Sequence, residues 1–156
     1  MKKKIIITGG LGYIGTELCK LYSGVSWHHK IIVIDNRFIS ERVNQIRNWN
    51  MDFVQGDILD KNLINNYFKD ADVVHHLAGV TDVPRTKSDS SLAQDEKIKE
   101  VGEKGTQNIL DVIKDDCKII FPSTHVVYEG IDEVKTDIIE NEETKPVLSY
   151  SSSKAI

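Results

Sequence analysis

The sequence predicts an α/β domain, a doubly wound parallel sheet of five strands with helices on both faces, and three observations predict it. Short apolar runs alternate with helical patterns along the chain. A glycine-rich turn, Thr8-Gly9-Gly10-Leu11-Gly12-Tyr13-Ile14-Gly15, joins the first run to the first helix, and Asp35 closes the second run twenty residues after Gly15. Ile5-Ile6-Ile7 and Ile31-Ile32-Val33-Ile34 are apolar at every position, as strands covered on both faces of a parallel sheet are. Right-handed crossovers then bring the carboxyl ends of the strands to one edge.

Each element follows in order. After the first strand, Ile14, Leu18 and Leu21 make one apolar stripe of a helix from Tyr13 to Tyr22, and Gly24 can end it. Residues 30 to 35 form the second strand, and Ser40 is placed to cap a short helix through Ile46. Met51 to Gln55 reads as the third strand, ending at Gly56-Asp57-Ile58. Asp60 then caps a helix carrying Leu63, Ile64, Tyr67 and Phe68. The fourth strand is Asp72 to Leu77, ending at Ala78-Gly79, and residues 80 to 95 read as a long polar loop at its carboxyl end, where loops commonly serve a site. A helix from Asp95 to Lys114 presents Ile98, Val101, Gly105, Ile109 and Val112 on one face. Gly102 and Gly105 each cost such a helix about 1 kcal/mol relative to Ala. Close packing on a neighbour would justify that cost, and a frayed middle is the alternative. The fifth strand, Lys118 to Phe121, leads into Pro122-Ser123-Thr124.

Composition sets bounds. The 156 residues suit one domain, here 1–156, and a net charge of -4 leaves no electrostatic footprint for nucleic acid. No stretch approaches the about 18 apolar residues of a membrane span, and the run after Met1-Lys2-Lys3-Lys4 is too short for a secretory signal. Cys19 and Cys117 lack metal-ligand spacing and read as buried free thiols of a reducing cytoplasm. Adjacent histidines, His28-His29 and His75-His76, point to opposite faces of a strand, which argues against a shared metal. Trp27, Trp49, Tyr22 and Tyr67 read as packing residues.

The glycine spacing fits both G-x-x-G-x-x-G and G-x-G-x-x-G, the turn that lets backbone approach a pyrophosphate while a helix N-terminus faces the anion. Asp35 stands where a carboxylate accepts hydrogen bonds from the adenosine ribose. Tyr150-Ser151-Ser152-Ser153-Lys154 puts a phenol and an ammonium four residues apart, on one helix face. A phenol is a poor base at neutral pH unless its anion is stabilised, as a neighbouring ammonium and an oxidised nicotinamide both do.

With these motifs in place the chain resembles the extended short-chain dehydrogenase/reductases, specifically the NAD-dependent epimerase/dehydratase family acting on sugar nucleotides. The marks of the resemblance are the glycine turn, Asp35-Asn36, Gly56-Asp57-Ile58, His76-Leu77-Ala78-Gly79, Gly105 to Leu110, Ser123-Thr124 with Val127-Tyr128, and Pro146 ahead of Tyr150 to Lys154. It implies a Rossmann-like fold and NAD held by Gly9, Gly12, Tyr13, Ile14, Gly15, Asp35, Asn36, Asp57, Ile58, Leu77, Ala78, Gly79, Thr81, Tyr150 and Lys154. Within that set, Asp57 and Ile58 would contact the adenine, Asp35 would disfavour a 2′-phosphate, and Lys154 would bond the nicotinamide ribose. Arg37 beside Asn36 leaves room for NADP. Thr124, Tyr150 and Lys154 would be the catalytic residues, with Tyr150 as base and Thr124 sharing the substrate hydroxyl's hydrogen bond. A nucleotide sugar is the implied substrate, and the resemblance allows a homodimer.

Three departures qualify the resemblance. Many dehydratases of the family follow the Ser/Thr with Asp-Glu, whereas this chain has His125-Val126, which favours an epimerase, reductase or decarboxylase. The family often has Asn where this chain has Gly102. The sequence ends at Ile156, two residues after Lys154, whereas the resemblance implies the rest of that helix, a further strand and a substrate domain. The chain therefore reads either as the truncated NAD-binding part of an oxidoreductase-type enzyme, or as a non-catalytic NAD-binding or regulatory module or an inactive fragment. FAD or S-adenosylmethionine on the same glycine turn is the third reading.

Overall fold

A computed structural model describes residues 1–80, 91–132 and 134–155. Its elements run β1 (Lys4–Thr8), α1 (Tyr13–Ser23), β2 (Lys30–Asp35), α2 (Ser40–Asn48), β3 (Asp52–Gln55), α3 (Lys61–Phe68) and β4 (Val73–His76). They continue with α4 (Leu92–Lys99), a π-helical turn (Glu100–Lys104), α5 (Gly105–Leu110), β5 (Lys118–Ile120), a 3-10 turn (His125–Tyr128) and α6 (Ser149–Ser152). The strands form one sheet in the order β3-β2-β1-β4-β5, and all four pairings are parallel. Because the chain leaves β1 in one direction and returns at β4 on the other side, the loops after β1 and β4 diverge. Their divergence opens a crevice at the carboxyl edge.

Alternate residues of the central strands feed two cores. Ile5, Ile7, Ile31 and Val33 pack with Leu11, Cys19, Val43 and Ile46 under α1 and α2. Ile6, Ile32, Ile34 and Val74 pack with Ile64, Phe68 and Ile109 under α3 and α5. The unbroken apolar runs thus serve both faces. Asp60 caps α3 as expected, accepting from the Asn62 and Leu63 amides. Among the described residues no helix is long and apolar enough to cross a membrane.

Several expectations are corrected. The buried residues of α1 are Gly15 and Cys19, with Leu18 and Tyr22 packed beside them, while Ile14 and Leu21 are exposed. Small residues let the helix close on the sheet, so of the expected stripe only Leu18 belongs to the inner face. Ser40 is the first residue of α2, and the residue before it, Ile39, gives no side-chain cap. The expected helix from Asp95 to Lys114 is three segments with a π-helical turn in the middle. Trp27 is 68% exposed, its indole donating to the Gly24 carbonyl, so it is not a core residue. Cys19 is buried, which pushes its thiol up to about 12, whereas Cys117 is only half-buried.

Candidate cofactor and active site

The turn from β1 into α1 is built so that a side chain would fill it. Gly9 has φ +65, and a Cβ there would stand 2.8 Å from the Leu77 carbonyl and the Ala78 nitrogen. One at Gly15 would stand 2.4 Å from the Gly9 carbonyl. The first position needs the left-handed backbone that favours glycine, and the second lets the helix start close behind the strand. Gly12 precedes α1 and has no side chain to cap it, so first-turn N–H groups and the positive helix end are left for an anion. Tyr13 and Ile14, the first residues of α1, are 88% and 66% exposed, so neither side chain is part of a core.

At the end of β2, Asp35 is buried and both its oxygens are bonded. Oδ2 accepts from the Leu11 N–H at 3.0 Å, and Oδ1 accepts from the Arg37 N–H at 3.0 Å and its Nε–H at 3.2 Å. The Arg42 guanidinium donates to the Leu11 carbonyl. Asp35 therefore holds the glycine turn and the β2 end together, and the half-exposed Arg37 covers it. An ion pair with so exposed a partner is weak, so a diol can compete for the carboxylate. Asn36 reaches Asp57 at 3.4 Å, and Asp57 also accepts from the Leu59 N–H. Ile58 is 4% exposed, with its carbonyl taking a bond from Asn108, and a Cβ on Gly105 would stand 2.5 Å from its Cδ1. Its side chain is thus core, leaving only backbone for an adenine.

The end of β4 carries a bonded series that sequence reasoning missed. Thr106 donates its hydroxyl proton to the Gly102 carbonyl, so it must accept from His76 Nε2–H, 3.0 Å away. The His76 Nδ1 is then unprotonated and accepts from the Thr8 hydroxyl at 2.8 Å. Thr8 in turn accepts from the Ala78 N–H at 3.0 Å. Burial, with the Lys154 charge nearby, pushes His76 down to about 4, so the ring is neutral. The series fixes Ala78 against Gly9, as the 2.8 Å approach requires. The pair of threonines at the ends of two buried elements was the available signal.

His76 stacks on Phe121, and Lys154 Nζ sits 4.4 Å over the same ring, favourable for a cation. Burial pulls Lys154 down from the ordinary lysine range. A Cβ on Gly79 would lie 3.8 Å from that nitrogen, so Lys154 stands at the ends of β4 and β5. Ser123 donates to the Lys154 carbonyl at 2.9 Å. Thr124 begins the 3-10 turn against which α6 packs, and α6 carries Tyr150. A Cβ on Gly102 would meet Ser153 Cβ at 2.7 Å, so this glycine and Gly105 are close-packing sites and not a frayed middle. Thr81 lies outside the described residues. A cavity of about 480 Å³ near Lys4, Lys30 and Arg47 lines the amino side of the sheet and contains no predicted site residue. Among the described residues no three His, Cys, Asp or Glu side chains could hold a metal ion.

A cradle closed to any Cβ, an uncapped helix start and a carboxylate at the end of β2 fit a dinucleotide. The sequence model of the NAD dependent epimerase/dehydratase family matches residues 5–156. The chain belongs to this family. It is 34% identical to a dTDP-D-glucose 4,6-dehydratase of Dictyostelium discoideum, covering 98% of this chain and 38% of that protein. It is also 34% identical to a UDP-N-acetyl-alpha-D-glucosaminuronate decarboxylase of Bacillus cytotoxicus, covering 82% and 38%. Among solved structures, UDP-glucose 4-epimerase from Brucella ovis in complex with NAD is 27% identical, with a TM-score of 0.75 over 98% of this chain and 45% of that one. The chain thus spans less than half the length of these family members.

Proposed function

We propose that the chain is the NAD-binding part of a nucleotide-sugar epimerase, with Tyr150 as the base. One observation carries the reading: Lys154 stands between Gly79 and Phe121, on the edge that also bears the glycine turn and Asp35. The cofactor would be held by Gly9, Gly12, Gly15, Asp35 and Lys154, with Asn36, Asp57 and the Leu77–Gly79 backbone alongside. Bound nicotinamide supplies reversible acceptance of a hydride. The protein's own residues do the rest. Tyr150 takes the proton of a sugar hydroxyl and returns it. Lys154, four residues on and just past the end of α6, would stabilise the phenolate by charge and hold the ribose. The Thr124 hydroxyl shares the substrate oxygen and orients it.

Epimerisation is favoured over dehydration by the two residues after Thr124. Val126 brings no proton donor or acceptor on its side chain, and its backbone N–H is turned to Thr124 Oγ1 at 3.5 Å. His125 cannot replace an acid/base pair alone. Incubating the full-length protein with uridine- and deoxythymidine-diphosphate hexoses and weighing the products tests this. A product of unchanged mass and inverted carbon supports it, and one lighter by water or carbon dioxide refutes it. In parallel titrations, NAD⁺ should bind at least tenfold tighter than NADP⁺, about 1.4 kcal/mol, because Asp35 repels a 2′-phosphate. Equal affinities would assign that position to Arg37 instead.

A further inference from the structure

We infer that Glu129 is a positioning residue that fixes the Tyr150–Lys154 turn relative to Thr124 by capping α6 from outside its own segment. Helix α6 begins after Leu148, whose side chain has no polar atom and cannot cap it. The N–H groups at and just before the cap position also need acceptors. Glu129 Oε1 accepts from the Val147 N–H at 2.8 Å, the Leu148 N–H at 2.7 Å and the Ser151 hydroxyl, whose oxygen also takes the Leu148 N–H at 3.1 Å and lies 2.9 Å from the Leu148 carbonyl. A carboxylate at a helix N-terminus gains from both charge-assisted bonds and the helix dipole.

The geometry does more than close a helix end. Ser151 lies between Tyr150 and Lys154 and is fully buried. The two amides set where the helix starts, and the serine bond sets its rotation. Glu129 itself is anchored to the turn that Thr124 opens: its N–H donates to the Val126 carbonyl at 3.1 Å. On either side, Gly130 N–H donates to the Lys145 carbonyl and Lys145 N–H to the Val127 carbonyl, each at 2.8 Å. Thr124 and Tyr150 stand 26 residues apart in sequence, so local geometry cannot relate them. The Glu129 carboxylate bridges their two segments, and displacement of a reacting group by about 1 Å costs on the order of a hundredfold in rate.

This inference rests on the proposed role of Lys154 at the nicotinamide ribose. Calorimetric titration with NAD⁺ and with ADP tests it, since ADP keeps the adenosine and pyrophosphate but lacks that ribose. Glu129→Ala should cut the advantage of NAD⁺ over ADP about tenfold, leave ADP affinity within about twofold, and add nothing further to Lys154→Met. Glu129→Gln keeps the shape and two amide acceptances without the charge, so it should fold and lose about threefold. Equal losses for NAD⁺ and ADP, or an unchanged ratio in Glu129→Gln, overturn the proposal. Absence of an NAD⁺ advantage in the unmutated protein strikes the reading of Lys154 instead. Amide hydrogen exchange then decides the cap: Val147 and Leu148 should exchange faster in Glu129→Ala while α1 does not change, and unchanged exchange there overturns it.

Discussion

His76 gives the fold a dependence on pH below neutrality. Its imidazole titrates at 6.5 when free and at about 4 in the fold, chiefly because burial disfavours its charge. Between those values the unfolded chain binds the extra proton, so stability is fully present above 6.5 and falls as pH drops towards 4. The loss amounts to about 3 kcal/mol over that window. Urea unfolding at neutral pH and at about pH 4.5 should show it, and His76→Gln should flatten the dependence. At Gly9, alanine meets both a left-handed φ and backbone 2.8 Å away. The expected result is a stability loss of about 1–3 kcal/mol with loss of NAD⁺ binding, read by urea melts and titration. Residues of this kind differ in legibility. Gly9 and Asp35 are legible by spacing, because a turn after β1 and the end of β2 stand at fixed offsets along one strand-turn-helix-strand unit. Glu129 is not, since its partners lie 18 to 22 residues away and are chosen by how distant segments meet.

For single elements, the short helices show where pattern and packing part. Ile14 and Leu21 of the α1 stripe face out while Leu18 packs inward, because Gly15 and Cys19 permit a close approach that bulkier residues would block. Pattern reading weighs large apolar residues most, and so it set Ile14 and Leu21 inward as well. The Asp60 cap of α3 was legible, since a cap acts within its own turn. Asp60→Ala should cost about 1 kcal/mol in thermal unfolding, through the lost bonds to two amides. The interruption at Glu100–Lys104 was signalled only as two costly glycines, and the structure supplies their reason in Ser153 and Ile58. Gly102→Ala should therefore displace Ser153 and weaken NAD⁺ binding more than ADP binding in calorimetry. A comparable substitution at the open Gly24 should change neither.

Taken whole, the molecule is a sheet whose two faces are covered and whose carboxyl edge gathers the site. A ligand that binds only the fold stabilises it, so NAD⁺ at a hundredfold excess over its dissociation constant should add about 2.7 kcal/mol. A thermal shift series with increasing NAD⁺ checks this, and no shift would count against the cradle. The strand runs, the glycine turn after β1, Asp35 at the end of β2 and the four-residue spacing of Tyr150 and Lys154 are legible in the sequence, because they depend on side-chain periodicity and on spacing within one or two elements. Tertiary structure alone decided which face of α1 is inner, that Ile58 offers only backbone, that His76 is a neutral link between Thr8 and Thr106, and that Glu129 holds the turn of Tyr150. Each of those rests on contacts between segments far apart in the chain, whose distances no local pattern encodes. Burial then sets their chemistry, as with His76, and burial belongs to the assembled fold.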